Sequence, residues 1–99
     1  MRVITLHYLN LIPGKASEYE LNLPLDSHIL CVEDDGMGCC EVFVDQPIDV
    51  EQMATYRIYQ RVTGIRFEPV PSSRYINTCR NNHYYTSLRT KKWSSDDAV

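Results

Sequence analysis

Short segments in which apolar and polar residues alternate constrain the fold of this chain more than any other feature. In residues 18–23, Tyr19, Leu21 and Leu23 alternate with polar side chains. Such alternation is typical of a strand that buries one face, because successive side chains of a strand point to opposite sides. Similar segments, separated by glycine and proline turns, recur along the chain. The pattern predicts a mainly β protein.

One hairpin is clearly delimited. Residues 28–33 and 39–45 are predicted strands, and the loop between them, Asp-Asp-Gly-Met-Gly, has glycines that accept the positive φ angles of a tight turn. We expect Leu30 and Val32 to share one face of the first strand. On the second strand the expected inward residues are Cys40, Val42 and Val44, and the expected outward residues are Glu41, Phe43 and Asp45.

Residues 49–62 allow two interpretations. Asp49 and Gln52 can form a capping box, and apolar residues follow at helical spacing, which indicates a helix that ends at Gly64. The run from Thr55 to Val62 is rich in β-forming residues, which indicates a strand. We favour the strand and keep one short helix near 49–54 as the alternative. On that strand Arg57, Tyr59 and Arg61 would face outward.

The remaining segments complete a picture of seven or eight short strands. Strands are predicted near 3–8, 65–67, 74–79 and 83–89, and Tyr75 with one of Tyr84 or Tyr85 is predicted to be core. Many short strands at this spacing indicate a compact antiparallel β-sandwich or small barrel. We expect one β domain over residues 1–89 and a polar, frayed tail over residues 90–99.

Charge divides the chain into two halves. Residues 1–53 carry two basic and ten acidic side chains, whereas residues 54–99 carry eight basic and three acidic ones, so the net charge of −3 conceals opposite halves. Arginine and tyrosine, which are enriched where proteins contact partners, are concentrated in the second half. This composition predicts a binding function.

Two groups of residues are the predicted partner-binding sites. The basic group combines outward arginines and a tyrosine that suit carboxylate or phosphate, and the acidic group lies at the tip of the hairpin. An alternative stays open, in which the arginines pair with acidic residues of neighbouring strands such as Glu18 and Glu20. The predicted contact residues are Arg57, Tyr59, Arg61, Arg66, Glu33, Asp34, Asp35 and Glu41.

No catalytic or metal-binding motif is recognisable. The three histidines, His7, His28 and His83, are dispersed, the four glycines form no phosphate loop, and the four cysteines lack metal-ligand spacing. We therefore expect a protein that is not an enzyme and holds neither metal nor cofactor. The sequence has no long apolar run and no signal-peptide pattern, so we expect no membrane insertion, reduced thiols and a cytoplasmic location.

A series of apolar positions and turns runs along the chain in a fixed order. It comprises Tyr19, Leu21, Leu23-Pro24, Ile29-Leu30, Val32, Val42-Phe43-Val44-Asp45, Tyr56-Arg57-Ile58, Gly64, Tyr75-Ile76, Thr78 and His83-Tyr84-Tyr85. This order resembles an uncharacterised family of short phage-encoded β proteins. The resemblance spans roughly residues 3–88, and the chain departs from the family pattern at Cys39-Cys40 and in a longer arginine-rich stretch before Gly64. It implies a bacteriophage or prophage source but no activity, so no functional residue is carried over.

Together these features predict a small protein that binds and blocks a host or anti-phage defence protein in the bacterial cytoplasm. An acidic surface could occupy a basic groove of a nucleic-acid-handling complex. Two alternatives remain: a nucleic-acid-binding accessory protein that uses the basic second half, and a small virion or assembly protein. Exposed edge strands also make a homodimer an expectation to test.

Overall fold

A computed structural model describes residues 1–10 and 14–90 of the chain. The described residues form seven strands and contain no helix, so the alternative of a short helix near 49–54 is wrong. Residues 65–67 were predicted as a strand, and this prediction is wrong. They lie in an irregular segment that follows Gly64 and pair with no strand of the described part of the chain. The strands are β1 (Arg2–Leu9), β2 (Ser17–Pro24), β3 (His28–Asp34), β4 (Cys40–Pro47), β5 (Met53–Val62), β6 (Arg74–Cys79) and β7 (Asn82–Thr90).

The strands pack as two antiparallel sheets, which confirms the predicted β-sandwich rather than a closed barrel. Sheet A has the order β1-β4-β3, and sheet B has the order β2-β5-β7-β6. Strand β7 extends to Thr90, which was predicted as the first tail residue; residues 91–99, including Trp93, lie outside the described part. No helix that could cross a membrane occurs in the described ranges.

The core lies between the sheets and follows the predicted alternation on most strands. Leu23, Val42, Val44 and Ile58 are fully buried or nearly so, and Tyr19 and Leu21 pack against them. Because all of these residues occupy the inward positions of their strands, burial of apolar surface there is the main favourable term in folding. The inward assignments of β2 and β4 are therefore confirmed.

The face assignment on β3 is partly wrong. Val32 is buried as predicted, but Leu30 is 45% exposed, and Ile29 is buried in its place. The pairing of β3 with β4 shifts between Ile29 and Cys31. A bulge of this kind adds one residue to one strand, so the two sides of the bulge present opposite phases of the alternation.

Side chains of sheet B close the β3 edge of sheet A. The side chain of Asn77 on β6 accepts a hydrogen bond from the Val32 N–H at 2.8 Å and donates one to the Val32 carbonyl at 2.9 Å. Arg74 donates to the Ile29 carbonyl at 3.1 Å. Backbone groups that an edge strand would leave unpaired are therefore satisfied across the sandwich.

Strand β1 forms the opposite edge of sheet A and is not covered in the same way. Of its eight residues only Leu9 is buried. The core-facing side chains Thr5 and His7 are half-buried and hydrogen-bond each other at 2.9 Å, and Thr5 donates to Gln46 at 3.0 Å. A polar inner surface indicates that β1 extends beyond the apolar core.

Candidate protein-binding surface

The predicted arginine stripe, Arg57, Tyr59 and Arg61, lies on the outer face of sheet B. Arg57 donates to Glu20 at 2.8 Å, and Arg61 lies 3.8 Å from Glu18. Both carboxylates belong to the neighbouring strand β2. The hydrogen bond to Glu20 raises the pKa of Arg57. The arginines thus adopt the arrangement that was left open as the alternative, in which acidic and basic strands lie side by side.

Tyr59 faces outward as predicted, but it is not exposed, so the prediction of an exposed contact residue is wrong. It occupies an outward position of β5, yet only 3% of its surface is exposed. Its hydroxyl hydrogen-bonds Ser87 at 2.9 Å, and the guanidinium of Arg61 lies 5.6 Å from the centres of both the Tyr59 and Phe67 rings. The segment that carries Phe67 folds over this part of sheet B and covers Tyr59.

Arg66 precedes Phe67 in the same segment and remains exposed. Together with Arg61 it borders a shallow cleft against the start of β2. Among the described residues no carboxylate lies within ion-pair distance of Arg66. The structure therefore leaves Arg66 free, while the three residues of the stripe are engaged.

The predicted acidic tip is also largely engaged. Asp34 accepts a hydrogen bond from Gly36 N–H at 2.8 Å, and only 6% of its side chain is exposed. Asp35 accepts bonds from the N–H groups of Met37 and Cys39 at 2.7 and 3.2 Å. Because these carboxylates bind the backbone of their own turn, as Asp side chains commonly do, Asp34 and Asp35 are already engaged, and their contact with a partner stays a prediction.

Glu33 and Glu41 differ from the other acidic residues. They lie directly opposite each other on β3 and β4, and both point to the outer face of sheet A. Within the described part of the chain no ion pair or side-chain hydrogen bond reaches either carboxylate. Like charges at directly opposed positions destabilise a sheet. This pair is therefore an unfavourable feature of the isolated fold.

Three cross-strand rows make up the outer face of sheet A. The pairings place Leu6 beside Phe43, which is followed by Cys31, and place Tyr8 beside the Glu41–Glu33 pair. The third row is Ile4, Asp45 and His28. Arg2, which lies beside this row, donates a hydrogen bond to Asp45 at 2.7 Å. We name the surface formed by Ile4, Leu6, Tyr8, Phe43, Glu33 and Glu41 the apolar–acidic face.

Ile4, Leu6 and Tyr8 were not among the predicted contact residues. All three are exposed, and Tyr8 is 66% exposed. Their spacing of two residues along β1 was a readable signal, because it places three large apolar side chains on one side of a strand. That signal does not indicate which side of β1 is buried, and the polar residues Thr5 and His7 occupy the inward side here.

A second exposed group lies on the outer face of sheet B. The rings of Phe67 and Tyr75 lie 5.8 and 5.6 Å from the ring of Tyr85. Tyr75 was predicted as core and is 50% exposed, so that prediction is wrong, whereas Tyr84 is fully buried as the core alternative required. Tyr75 faces outward because it pairs with Tyr85, which lies opposite the outward Tyr59.

The cysteine of β4 belongs to a buried polar cluster. The Tyr84 hydroxyl donates to Gln60 at 2.9 Å and lies 3.4 Å from the Cys40 sulfur. Burial raises the pKa of the Cys40 thiol and that of the Tyr84 hydroxyl. A thiol whose pKa is raised stays protonated, and the thiolate is the form that acts as a nucleophile. Cys40 is therefore a packing residue of the core and not a reactive thiol.

The histidines are not gathered into a ligand set. Both ring nitrogens of His83 hydrogen-bond threonine hydroxyls, those of Thr63 at 2.7 Å and Thr78 at 2.8 Å. Across residues 1–10 and 14–90 no cluster of three histidine, cysteine or carboxylate side chains could hold a metal ion. The chain matches no protein-family model, no curated protein and no solved structure.

Proposed function

We propose that this chain is a non-enzymatic binding domain whose apolar–acidic face receives a partner protein with a basic surface. The observation that carries the proposal is the opposed pair Glu33 and Glu41 beside Tyr8. In the isolated domain the two carboxylates repel each other, and lysine or arginine side chains of a partner would relieve that repulsion. Binding would therefore gain free energy from a feature that costs the fold stability.

The apolar part of the face supplies exposed apolar area, which a contact surface needs in addition to charge. Leu6 and Phe43 lie side by side at its centre, with Ile4 and Tyr8 on either side along β1. Exposed apolar clusters bordered by polar residues mark interaction sites in soluble proteins. Aromatic side chains near the centre of an interface are frequent energetic anchors. Tyr8 and Phe43 are the anchors that we assign.

The biological role that we propose is inhibition of a host or anti-phage defence protein in the bacterial cytoplasm. Support comes from the resemblance to short phage-encoded β proteins and from the acidic character of the face. A surface of paired carboxylates offers negative charge to a groove that normally holds nucleic acid. Of the predicted contact residues, Glu33 and Glu41 keep this role in the proposal, and the arginine stripe does not.

A charge-reversal experiment tests the site. Glu33→Lys with Glu41→Lys changes the apolar–acidic face, and Glu51→Lys with Glu68→Lys is the control, since both residues are exposed and the net charge changes equally. Each variant is used as bait in nuclease-treated bacterial lysate, and captured proteins are identified, purified and titrated by calorimetry. We expect the face variant to weaken binding at least about tenfold and the control to bind as the native domain does.

Either of two outcomes contradicts the proposal. One is a purified partner whose affinity is the same for the native domain and for the face variant. The other is a partner that the control variant loses as strongly as the face variant, which would show that net charge rather than the face governs binding. Circular dichroism of each variant confirms that the fold is retained.

The exposed aromatic row of sheet B favours a second candidate function. The rings of Phe67, Tyr75 and Tyr85 lie together on the outer face of sheet B, and the exposed Arg66 precedes Phe67 in the chain. Bases of single-stranded nucleic acid stack on such aromatic surfaces. If this function holds, a labelled single-stranded oligonucleotide should bind, the affinity should fall steeply with salt, and Tyr75→Ala should weaken it. Absence of binding at low salt would contradict it.

A further inference from the structure

The four edges of the two sheets are protected to different degrees. The β3 and β6 edges face each other and are joined by the side chains of Asn77 and Arg74. The β2 edge carries Glu18 and Glu20 and ends in Pro24, and charges and proline are common means of preventing edge-to-edge pairing. Strand β1 has neither proline nor lysine, and its one charged residue, Arg2, is bound to Asp45.

Strand β1 is therefore an open pairing edge. Within residues 1–10 and 14–90 it is the outermost strand of sheet A and pairs only with β4, so the backbone groups that point away from β4 have no strand partner in this part of the chain. Its side chains are exposed on the outer side at Ile4, Leu6 and Tyr8, and only half-buried on the inner side at Thr5 and His7. Long apolar edges of this kind are templates for another strand.

We propose that two copies of this chain form a dimer by antiparallel pairing of β1 with β1 about a two-fold axis at Leu6. The two sheets A then become one continuous sheet of six strands. A two-fold axis perpendicular to the sheet keeps both outer faces on one side, so residues opposite each other must have the same inward or outward direction. Axes at Thr5 and at Leu6 both satisfy this condition near the middle of β1.

The polarity of the pairs selects the axis at Leu6. With that axis Leu6 lies opposite Leu6 of the partner subunit, Ile4 opposite Tyr8 of the partner subunit, and Thr5 opposite His7 of the partner subunit. Apolar side chains thus meet apolar ones and polar side chains meet polar ones. An axis at Thr5 instead places Val3 opposite His7 of the partner subunit, and Arg2 opposite Tyr8 of the partner subunit.

Charge distinguishes edge pairing from face-to-face packing. Two apolar–acidic faces packed against each other would bring together Glu33 and Glu41 of both copies, and like charges across an interface are strongly unfavourable. Pairing through β1 leaves Glu41 one strand away from β1 and Glu33 two strands away from it, so neither carboxylate lies in the interface. The dimer does not depend on the proposed function, and it leaves the apolar–acidic faces of both copies open.

Sedimentation velocity of the full chain over a range of concentrations tests the dimer. We expect a species of twice the 11.5 kDa chain mass. Leu6→Lys places two lysines opposite each other at the axis and should raise the dimer dissociation constant roughly 100-fold. The control is Leu30→Lys, since Leu30 is exposed to a similar extent, 45% against 39% for Leu6, but lies on β3. This control should remain dimeric.

A mixing experiment tests the register itself. Leu6→Glu alone should also be monomeric, and an equimolar mixture of the Leu6→Lys and Leu6→Glu variants should form a heterodimer, because lysine then faces glutamate. Heterodimer formation also shows that both variants fold. The proposal is overturned by a native chain that stays monomeric, by a Leu6→Lys variant as dimeric as the native chain, or by a mixture that remains monomeric.

Discussion

On the outer face of sheet B, Arg57 and Arg61 reach Glu20 and Glu18, whereas on the outer face of sheet A, Glu33 and Glu41 face each other without a cation among the described residues. Both faces contain charged and aromatic side chains. In sheet B the charges come from strands of opposite sign, and in sheet A the paired strands β3 and β4 both come from the acidic half. A charged surface residue therefore indicates a binding site only when the side chains around it do not already neutralise its charge.

The largest difference is expected between two tyrosines that both point outward. Tyr59 is buried on sheet B and Tyr8 is exposed on sheet A. Tyr59→Ala should lower the free energy of unfolding by about 3–5 kcal/mol, as for other buried aromatic residues, whereas Tyr8→Ala should change it by less than about 0.5 kcal/mol. Urea denaturation of both variants measures this, and equal losses would remove the distinction between the two faces.

Reversal of the stripe charges should have an intermediate effect. Arg57→Glu with Arg61→Glu would place two new glutamates beside Glu18 and Glu20, so that four acidic side chains lie together. We expect a loss of about 1–2 kcal/mol in the free energy of unfolding, since two partly exposed ion pairs become repulsive. Thermal unfolding at low and high salt measures the effect, and salt should reduce it. A stability equal to that of the native chain would show that the ion pairs contribute nothing.

The smallest effect has the opposite sign. Glu41→Lys replaces the repulsion with Glu33 by an attraction, so we expect the free energy of unfolding to increase by about 0.5 kcal/mol. Binding to a basic partner should decrease in the same variant. The control Glu51→Lys makes the same charge change at an exposed loop position. A variant less stable than both the native chain and this control would contradict the assignment of Glu33 and Glu41 as a repulsive pair.

Local pattern was enough to predict the strands and most of the core. The alternation in β2 and β4 gives the inward residues directly, because it depends only on neighbours along the chain. It failed at Leu30, since the bulge after Ile29 is a property of the pairing with β4 and not of β3 alone. It failed again at Tyr75, which the sequence could not place on the outer side of β6.

The candidate site was harder to predict than the fold because availability depends on distant residues. The burial of Tyr59 comes from Phe67 and its segment, which the sequence presents as a short strand of its own. Asp34 and Asp35 are engaged by the backbone of their own turn. Only Glu33 and Glu41 remain open among the predicted acidic residues, and the register that opposes them appears once β3 and β4 are paired.

The division of strands between the sheets has a consequence for the order in which the protein is assembled during translation. All three strands of sheet A lie before residue 48, whereas β2 pairs with β5, which ends at Val62. We therefore expect sheet A to form while β2 is still unpaired, because β5 has not yet been synthesised. Glu18 and Glu20 on β2 would act as gatekeepers in that interval, keeping an unpaired strand soluble until the complementary arginines emerge from the ribosome.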